Sequence, residues 1–260
     1  MKRFFTNIKK FMPYMRYSTV SRLRSEVAGS YLSGLWWILD PLLFMMVYSF
    51  IVQVVFKRGM ENFNIFVLIG LNLWKFFNVC IVQSVSAVRA SKGLLMKIYI
   101  PKYVLLLINM ATNAIKMMIS FAIVIVMCIF SKINFFPYII YTIPIFCTLF
   151  IVTFGISLII LHFGVYVKDF ANILTVILRF MYYLSGVFFD LYSNVPHPYN
   201  ELLIKFNPIA YCMHSCRQAI MYQTGPSAVI LLFWTAVGLV LTFIGIRTIH
   251  KYEHNYIKVI

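Results

Sequence analysis

Carboxylates are scarce in this chain: seven Asp and Glu stand against 23 Lys and Arg in 260 residues, and charged residues of every kind make up only 12%. A soluble domain carries about 25% charged and about 45–50% apolar residues, whereas this chain is 62% hydrophobic. That much apolar surface cannot be hidden from water in a polar fold. The shortage of acids also removes the usual material of acid–base chemistry. Nowhere do a nucleophile, a base and an orienting group occur together. A G-x-x-x-x-G-K-[ST] loop is missing too, so the chain has no cradle for nucleotide phosphates and is not expected to hydrolyse ATP itself. The five cysteines, Cys80, Cys128, Cys147, Cys212 and Cys216, are odd in number and three lie inside apolar runs, which implies no disulfide framework. Cys212, His214 and Cys216 spell C-x-H-x-C, but a second ligand cluster is lacking and no metal site is assigned. The basic N-terminus has neither a continuous apolar stretch nor an A-x-A-like site, so a cleaved signal peptide is not expected.

What the chain has in abundance is apolar runs about 20 residues long, the length that crosses about 30 Å of hydrocarbon as a helix. They fall at about 34–56, 64–84, 103–129, 138–164, 171–189 and 227–248. The fold class expected is therefore an all-α membrane protein of about six transmembrane helices. A segment 1–33 precedes a single membrane domain 34–260. The net charge of +16 does not form the dense patch of a nucleic-acid domain. It lies between apolar runs, as basic loops do beside anionic lipid, and no nucleic acid is expected as a partner.

With both termini inside, the inner segments hold Lys2, Arg3, Lys9, Lys10, Arg16, Arg22, Arg24, Arg89, Lys92, Lys97, Lys102, Lys168, Arg247, Lys251 and Lys258. The outer segments hold only Lys57, Arg58, Lys132, Lys205 and Arg217. Fifteen against five satisfies the positive-inside rule. This points to a multi-pass protein of the bacterial inner or plasma membrane with both termini cytoplasmic.

Before the first run, Phe4, Phe5, Ile8, Phe11, Met12 and Met15 recur near helical spacing among basic residues, as in an amphipathic helix at the membrane interface. A merely basic tail is the alternative. Pro13 is expected to break or kink the helix, leaving a second segment that leads to Gly34. Between the fifth and sixth runs, residues of about 187–225 are too polar for a span. Leu202, Leu203, Ile204 and Phe206, then Ile209, Met213, Ala219 and Ile220, suggest two short helices divided by Asn207-Pro208. Re-entrant helices dipping into the outer leaflet are the reading, with a soluble cap as alternative; irregular backbone at that depth needs protein or a wet cavity around it.

Several stretches resemble ABC-2 type polysaccharide and polyol-phosphate export permeases. GLWWILDPLL from Gly34, preceded by Arg22 and Arg24, is similar to that family's first span. GLNLWKFFNVCIVQS and KGLLMKIYIPKYVLLL resemble its second span, loop and third span through Gly70, Trp74, Phe77, Lys97, Pro101 and Lys102. DFANILTVILRFMYYLSGVFF resembles its fifth span through Asp169 and Ser185, and FNPIAYCMHSCRQAI its outer re-entrant region through Asn207, Pro208 and Arg217. Three positions depart from the pattern. Asp40 stands where a neutral residue is frequent, Lys75 where apolar residues are common, and Gly186 where proline often follows the serine.

The resemblance implies a working unit of two copies of this chain and two copies of a separate ATPase subunit, which would bind ATP and Mg; no cofactor is expected in this chain. Members of the family export lipid-linked O-antigen, capsule or wall teichoic acid. The implied coupling helix lies in the loop from Val88 to Tyr103, where KGLLMKIYIPK offers one short helix ended by Pro101. There Leu94, Leu95 and Ile98 would enter a partner groove while Lys92 and Lys97 meet acidic groups or lipid phosphates. An ordinary basic loop is the alternative.

Ionisable residues at the centre of a span cost about 2.5–3.5 kcal/mol on insertion scales and usually face a cavity. Lys75 and Arg179 are such residues and suit a substrate bearing phosphate or other anionic groups. Lys116 either pairs with Asp40 or marks a misplaced boundary. Trp36, Trp37, Trp74, Phe77, Tyr182 and Tyr183 are candidate pathway residues on which sugars would stack, although Trp and Tyr also gather at membrane interfaces. His162 has no ligand neighbour and reads as structural. The function expected is the permease of an exporter of lipid-linked polysaccharide. An ABC-2 permease for a drug or small lipid, an ion-coupled flippase built on Asp40, and a membrane transferase acting on carrier lipid are the competing readings.

Overall fold

The structure is a computed structural model that describes all residues except 1, 30–32, 58, 59, 135, 137, 168 and 260, and all side chains except those and 2, 254 and 257–259. Arg58 and Lys168, and the side chains of Lys2 and Lys258, which enter the charge asymmetry above, lie outside the described residues.

The described residues form helices and no strand. Five helical stretches are long and apolar enough to cross a membrane: Trp36–Val55, Phe63–Ala90, Lys102–Phe130, Tyr138–Tyr166 and Ala228–Glu253. The fifth run, read at 171–189, is a shorter apolar helix, Phe170–Leu184. It ends early because Gly186 turns the chain at φ +65°, a left-handed conformation that glycine adopts without a Cβ penalty.

In chain order, α1 is Lys2–Ala28, α2 is Trp36–Ser49 with one wider turn over Phe50–Val55, and α3 is Phe63–Ala90. A single helical turn, α4 (Lys92–Leu95), precedes α5 (Lys102–Phe130), α6 (Thr142–Tyr166) and α7 (Phe170–Leu184). Three shorter helices follow, α8 (Leu191–Asn194), α9 (Tyr199–Phe206) and α10 (Pro208–Ile220), before the long α11 (Ala228–Val259). The two short helices expected on either side of Asn207-Pro208 are α9 and α10. Capping chemistry explains the break: Asn207 Oδ1 accepts from the backbone of Ile209 at 3.0 Å and Ala210 at 3.3 Å, and Pro208 takes the first helical position, where a missing N–H is harmless.

The centre of the bundle is α3, most of whose side chains are buried from Phe63 to Val88. It is packed by α2, α5, α6, α7 and α10, so a helix apolar on every side finds protein rather than lipid around it. The α6–α11 pair is close because small residues let backbones approach, which is how helices associate where lipid is as apolar as they are. A Cβ at Gly155 would stand 2.8 Å from both Gly238 O and Leu241 Cβ. Thr148 and Thr235 add a 2.8 Å hydroxyl contact across the same seam.

Two expectations for the N-terminal segment are corrected. Pro13 does not break α1, which runs unbroken from Lys2 to Ala28. The proline sits on the exposed side, while Phe4, Ile8, Phe11, Tyr14 and Met15 pack against the core; packing along one face outweighs one lost backbone hydrogen bond. Lys116 does not pair with Asp40. It pairs with Glu26 of α1 at 2.5 Å, and Asp40 pairs with Lys75. Together with Asn7 Nδ2 donating to Tyr103 Oη at 2.9 Å and Arg22 bonding Asn109, the Lys116 pair lays α1 along the first half of α5.

The two ends of the bundle differ in charge. One end gathers the start of α1, the end of α3, the start of α5 and the ends of α6 and α11, tied by Arg89 to Val165 O (3.2 Å) and His162 Nδ1 to Tyr256 Oη (2.7 Å). Arg3, Arg89, Lys97, Lys102 and Lys251 belong to this end. The opposite end gathers α8, α9 and α10, with Tyr211 Oη donating to Ser227 O at 2.5 Å and Trp234 Nε1 to Lys205 O at 3.2 Å.

Gly155→Leu should lower stability by about 1–3 kcal/mol through overpacking at the α6–α11 seam. Gly93→Ala, where an added Cβ meets nothing within 4 Å, should leave it unchanged. Thermal unfolding in detergent reads both, and equal midpoints for the two variants would contradict this packing.

Candidate functional site

A cavity of about 660 Å³ lies between α2, α3 and α7 and is lined by Asp40, Phe44, Trp74, Lys75, Asn78, Thr175, Arg179, Tyr182 and Tyr183 among others. Its position follows from helical spacing. Thr175, Arg179 and Tyr182 fall at i, i+4 and i+7 of α7 and share one stripe, while Leu174 and Leu178 supply the buried contacts that hold α7 to the bundle. Lys75 and Asp40 are both partly exposed and joined as an ion pair. Arg179 is exposed, and the described residues give it no hydrogen-bond or ion-pair partner. Of the three charges on this wall, two cancel and one cation remains.

Aromatic rings continue from the cavity toward the start of α8. Trp74 and Tyr182 have ring centroids 5.3 Å apart, Tyr182 and Phe188 5.2 Å, and Phe188 stacks on Tyr48 at 3.6 Å. Phe188 is also part of a second cavity of about 1060 Å³, with Val52, Phe56, Lys57, Met60, Phe63, Phe189, Asp190, Ser193 and Asn194. Rings offered in series with hydroxyls, amides and the cations Arg179 and Lys57 suit a ligand with apolar faces and anionic groups.

Of the sequence-derived pathway residues, Trp74, Lys75, Arg179, Tyr182 and Tyr183 meet in the first cavity. The other three do not line it. Phe77 is buried behind Trp74 at a ring distance of 5.8 Å, and Trp36 is exposed outside it. Trp37 lies under the Lys116 ammonium at 5.6 Å, in a separate cavity of about 210 Å³ shared with Glu26, Asn113 and Ser120. Phe188, stacked on Tyr48, completes the aromatic line; nothing in the local sequence marks Phe188, because the turn at Gly186 is what swings it back.

The residues that resemble the family's outer region converge on that turn. Asn207 Nδ2 donates to Ser185 Oγ at 2.9 Å. Arg217, which the charge count assigns to an outer segment and the resemblance to the re-entrant region, is buried on α10. It donates to Phe66 O (3.2 Å), Gly186 O (2.8 Å) and Val187 O (2.9 Å), and its guanidinium stands 3.4 Å over the Phe66 ring. A Cβ at Gly70 would lie 2.5 Å from Arg217 Nη2, so the glycine makes the room. The proline frequent at position 186 in the resembling family, fixed near φ −65°, could not take the φ of +65° found here.

At the other end, the loop differs from expectation in two ways. The helix after Lys92 stops at Leu95, and Pro101 opens α5 instead of closing that helix, its carbonyl accepting from Val104 N at 2.9 Å. Leu95 is buried in this chain's own core, whereas Leu94, Met96, Ile98 and Tyr99 point outward with Lys92 and Lys97. An apolar, basic-edged knob is thus presented by the loop, and Leu95 is its root. Met96 and Tyr99 were not singled out by sequence because a turn, not a continued helix, sets their direction. Cys212 and Cys216 are buried on α10, and no three metal-capable side chains cluster among the described residues.

Five helices long and apolar enough to cross a membrane, packed into one bundle with an aromatic, cation-bearing cavity beside the central helix, are the architecture of a multi-pass membrane protein. More particularly, the chain is similar to O-antigen export system permease proteins RfbA of Klebsiella pneumoniae, 24% identical over 242 residues, 92% of this chain and 91% of that protein, and of Myxococcus xanthus, 26% identical over 221 residues, 84% of each. It is also similar to the polysialic acid transport protein KpsM of Escherichia coli, 25% identical over 252 residues, 86% of this chain and 87% of that protein. No family model matches the chain. These relatives bear out the resemblance to polysaccharide export permeases, at modest identity over most of the chain.

Arg217→Leu should leave the carbonyls of Gly186 and Val187 without their donor, at about 1–3 kcal/mol for each buried group orphaned, while Phe66 O keeps its place in the α3 ladder; Arg217→Lys should lose less. Thermal unfolding and protease resistance of the segment 186–220 measure it. Wild-type stability in Arg217→Leu would contradict the anchoring role.

Proposed function

We propose that this chain is the membrane permease of an ABC-type exporter that carries a lipid-linked polysaccharide, of O-antigen, capsule or teichoic acid type, outward across the inner membrane. The observation that carries this reading is the similarity to O-antigen and polysialic acid transport permeases over most of the chain. Two copies of the chain assemble side by side and a separate ATPase subunit, holding ATP and Mg, docks beneath each. The chain itself contributes binding and conduction and no hydrolysis.

In this reading α7 is the sixth crossing, short because its outer end turns at Gly186, and α9 and α10 dip into the outer leaflet as re-entrant helices. Both termini and the loop from Lys92 to Pro101 face the cytoplasm, a placement supported by the concentration of Lys and Arg at that end of the bundle. The α2, α3 and α7 wall faces the substrate. Trp74, Tyr182 and Tyr183 offer stacking surfaces, and Arg179, with Lys75 held by Asp40, meets phosphate or carboxylate groups of the carrier lipid or polymer. Leu94, Met96 and Ile98 seat in the ATPase groove, with Lys92 and Lys97 at its rim.

In cells lacking the chromosomal copy, the wild-type chain restores surface polymer, whereas unchanged surface polymer in the deletion itself would overturn the reading. Arg179→Leu should lower export about tenfold or more, the equivalent of losing one charge-assisted contact of about 1.5–3 kcal/mol, in protein that inserts normally. Leu94→Glu with Ile98→Glu should abolish both co-purification with the ATPase and export. Full ATPase binding in that double variant would remove the loop from the docking surface.

A further inference from the structure

The loop that carries the outward knob is anchored at its far end by a buried ion pair that its own sequence does not reveal. Lys102, the residue after Pro101, places Nζ 3.9 Å from Glu253 Oε1 on α11, with side-chain exposures of 1% and 3%. Neither residue is at the membrane-facing surface of the bundle, and they are 151 positions apart in sequence. The same carboxylate has His250 Nδ1 3.9 Å from its other oxygen.

Other contacts close a ring around this pair. Tyr103 packs edge-on against His250 at 5.7 Å and against Phe4 at 5.0 Å, and its hydroxyl accepts from Asn7. Tyr99 lies under the Lys102 ammonium at 5.6 Å and accepts from Arg3 Nη2 at 3.3 Å. Burial, and after it the Glu253 carboxylate, push the Tyr99 phenol up to about 12. Three segments remote in sequence, the start of α1, residues 99–103 and the last turns of α11, therefore meet around one acid. A few residues further on, Tyr256 continues the link to α6 through His162.

We propose that Glu253 is a positioning residue for the loop from Lys92 to Pro101, fixing it to the ends of α1 and α11 so that the three move as one block. A push delivered to Leu94 and Ile98 then reaches α11, and through its close seam with α6 the bundle, as well as α5. Removing the carboxylate leaves Lys102 buried without a counter-ion, and the loop loses its fixed base. The functional part of this inference rests on the docking role given to the loop above; the structural part does not.

Hydrogen exchange on the full chain in lipid nanodiscs tests it, because Met96, Lys97 and Ile98 N–H groups are held by Lys92 O and Leu94 O at 3.0–3.1 Å. In Glu253→Gln these amides should exchange at least about tenfold faster, equivalent to about 1.4 kcal/mol of lost protection, while the α3 amides stay as in wild type. Tyr99→Phe, which keeps the ring and removes the hydroxyl at the edge of the cluster, should give a smaller change in the same amides and serves if Glu253→Gln does not fold. Unchanged exchange at 96–98 in the folded variants overturns the proposal. In the assembled transporter, Glu253→Gln should lower export per ATP hydrolysed. Faster loop exchange with normal coupling would leave Glu253 as the loop's anchor and overturn the docking role instead.

Discussion

A charge inside a membrane bundle needs a partner, and the arrangement of this protein follows from how its few charges find one. Of the seven carboxylates, three pair with a cation on another helix: Asp40 with Lys75, Glu26 with Lys116, Glu253 with Lys102. Arg217, which has no ion pair among the described residues, is held by three backbone carbonyls and an aromatic face. Each of these contacts joins different helices, so the same requirement that neutralises charge also fixes α1 on α5, α2 on α3, α11 on the start of α5, and α10 on the start of α3. Arg179 stands outside this scheme, and it stands in the cavity.

The two ends of α3 are thereby treated differently. Its N-terminal end is gripped by Arg217 and the Gly186 turn, with Gly70 giving the guanidinium room. Its C-terminal end leads directly into α4 and the loop, whose base is closed by Lys102 and Glu253. Between these clamps α3 is buried over most of its length, and the side that opens on the cavities of about 660 Å³ and 210 Å³ carries Lys75, Asn78, Val79 and Gln83.

Much of this was legible in the sequence, and the illegible parts have a common cause. Apolar runs gave the long helices to within a few residues, except where Gly186 shortened α7 and where α3 and α11 extend past the apolar run into polar turns. Asn207-Pro208 announced a helix start because its cap chemistry is local. The pathway residues Trp74, Lys75, Arg179, Tyr182 and Tyr183 converge because they share faces of helices whose period is readable. Long-range pairing was not readable: Lys116 with Glu26, Glu253 with Lys102, and the burial of Arg217 depend on how helices are arranged around α3. Pro13 and Leu95 were misread for a related reason. Packing of the opposite helix face kept α1 whole, and a turn after Leu95 sent that residue inward while its neighbours went out.

The central claim is that the stripe of α7 bearing Arg179 faces water and substrate. Single cysteines placed in a cysteine-free background test it directly with a membrane-impermeant, water-soluble thiol reagent. The account predicts labelling at positions 175, 179 and 182, which line the cavity, and protection by lipid at 173, 177 and 180, whose apolar side chains are exposed on the opposite stripe of α7. Equal labelling of the two stripes, or labelling confined to 173, 177 and 180, would contradict it.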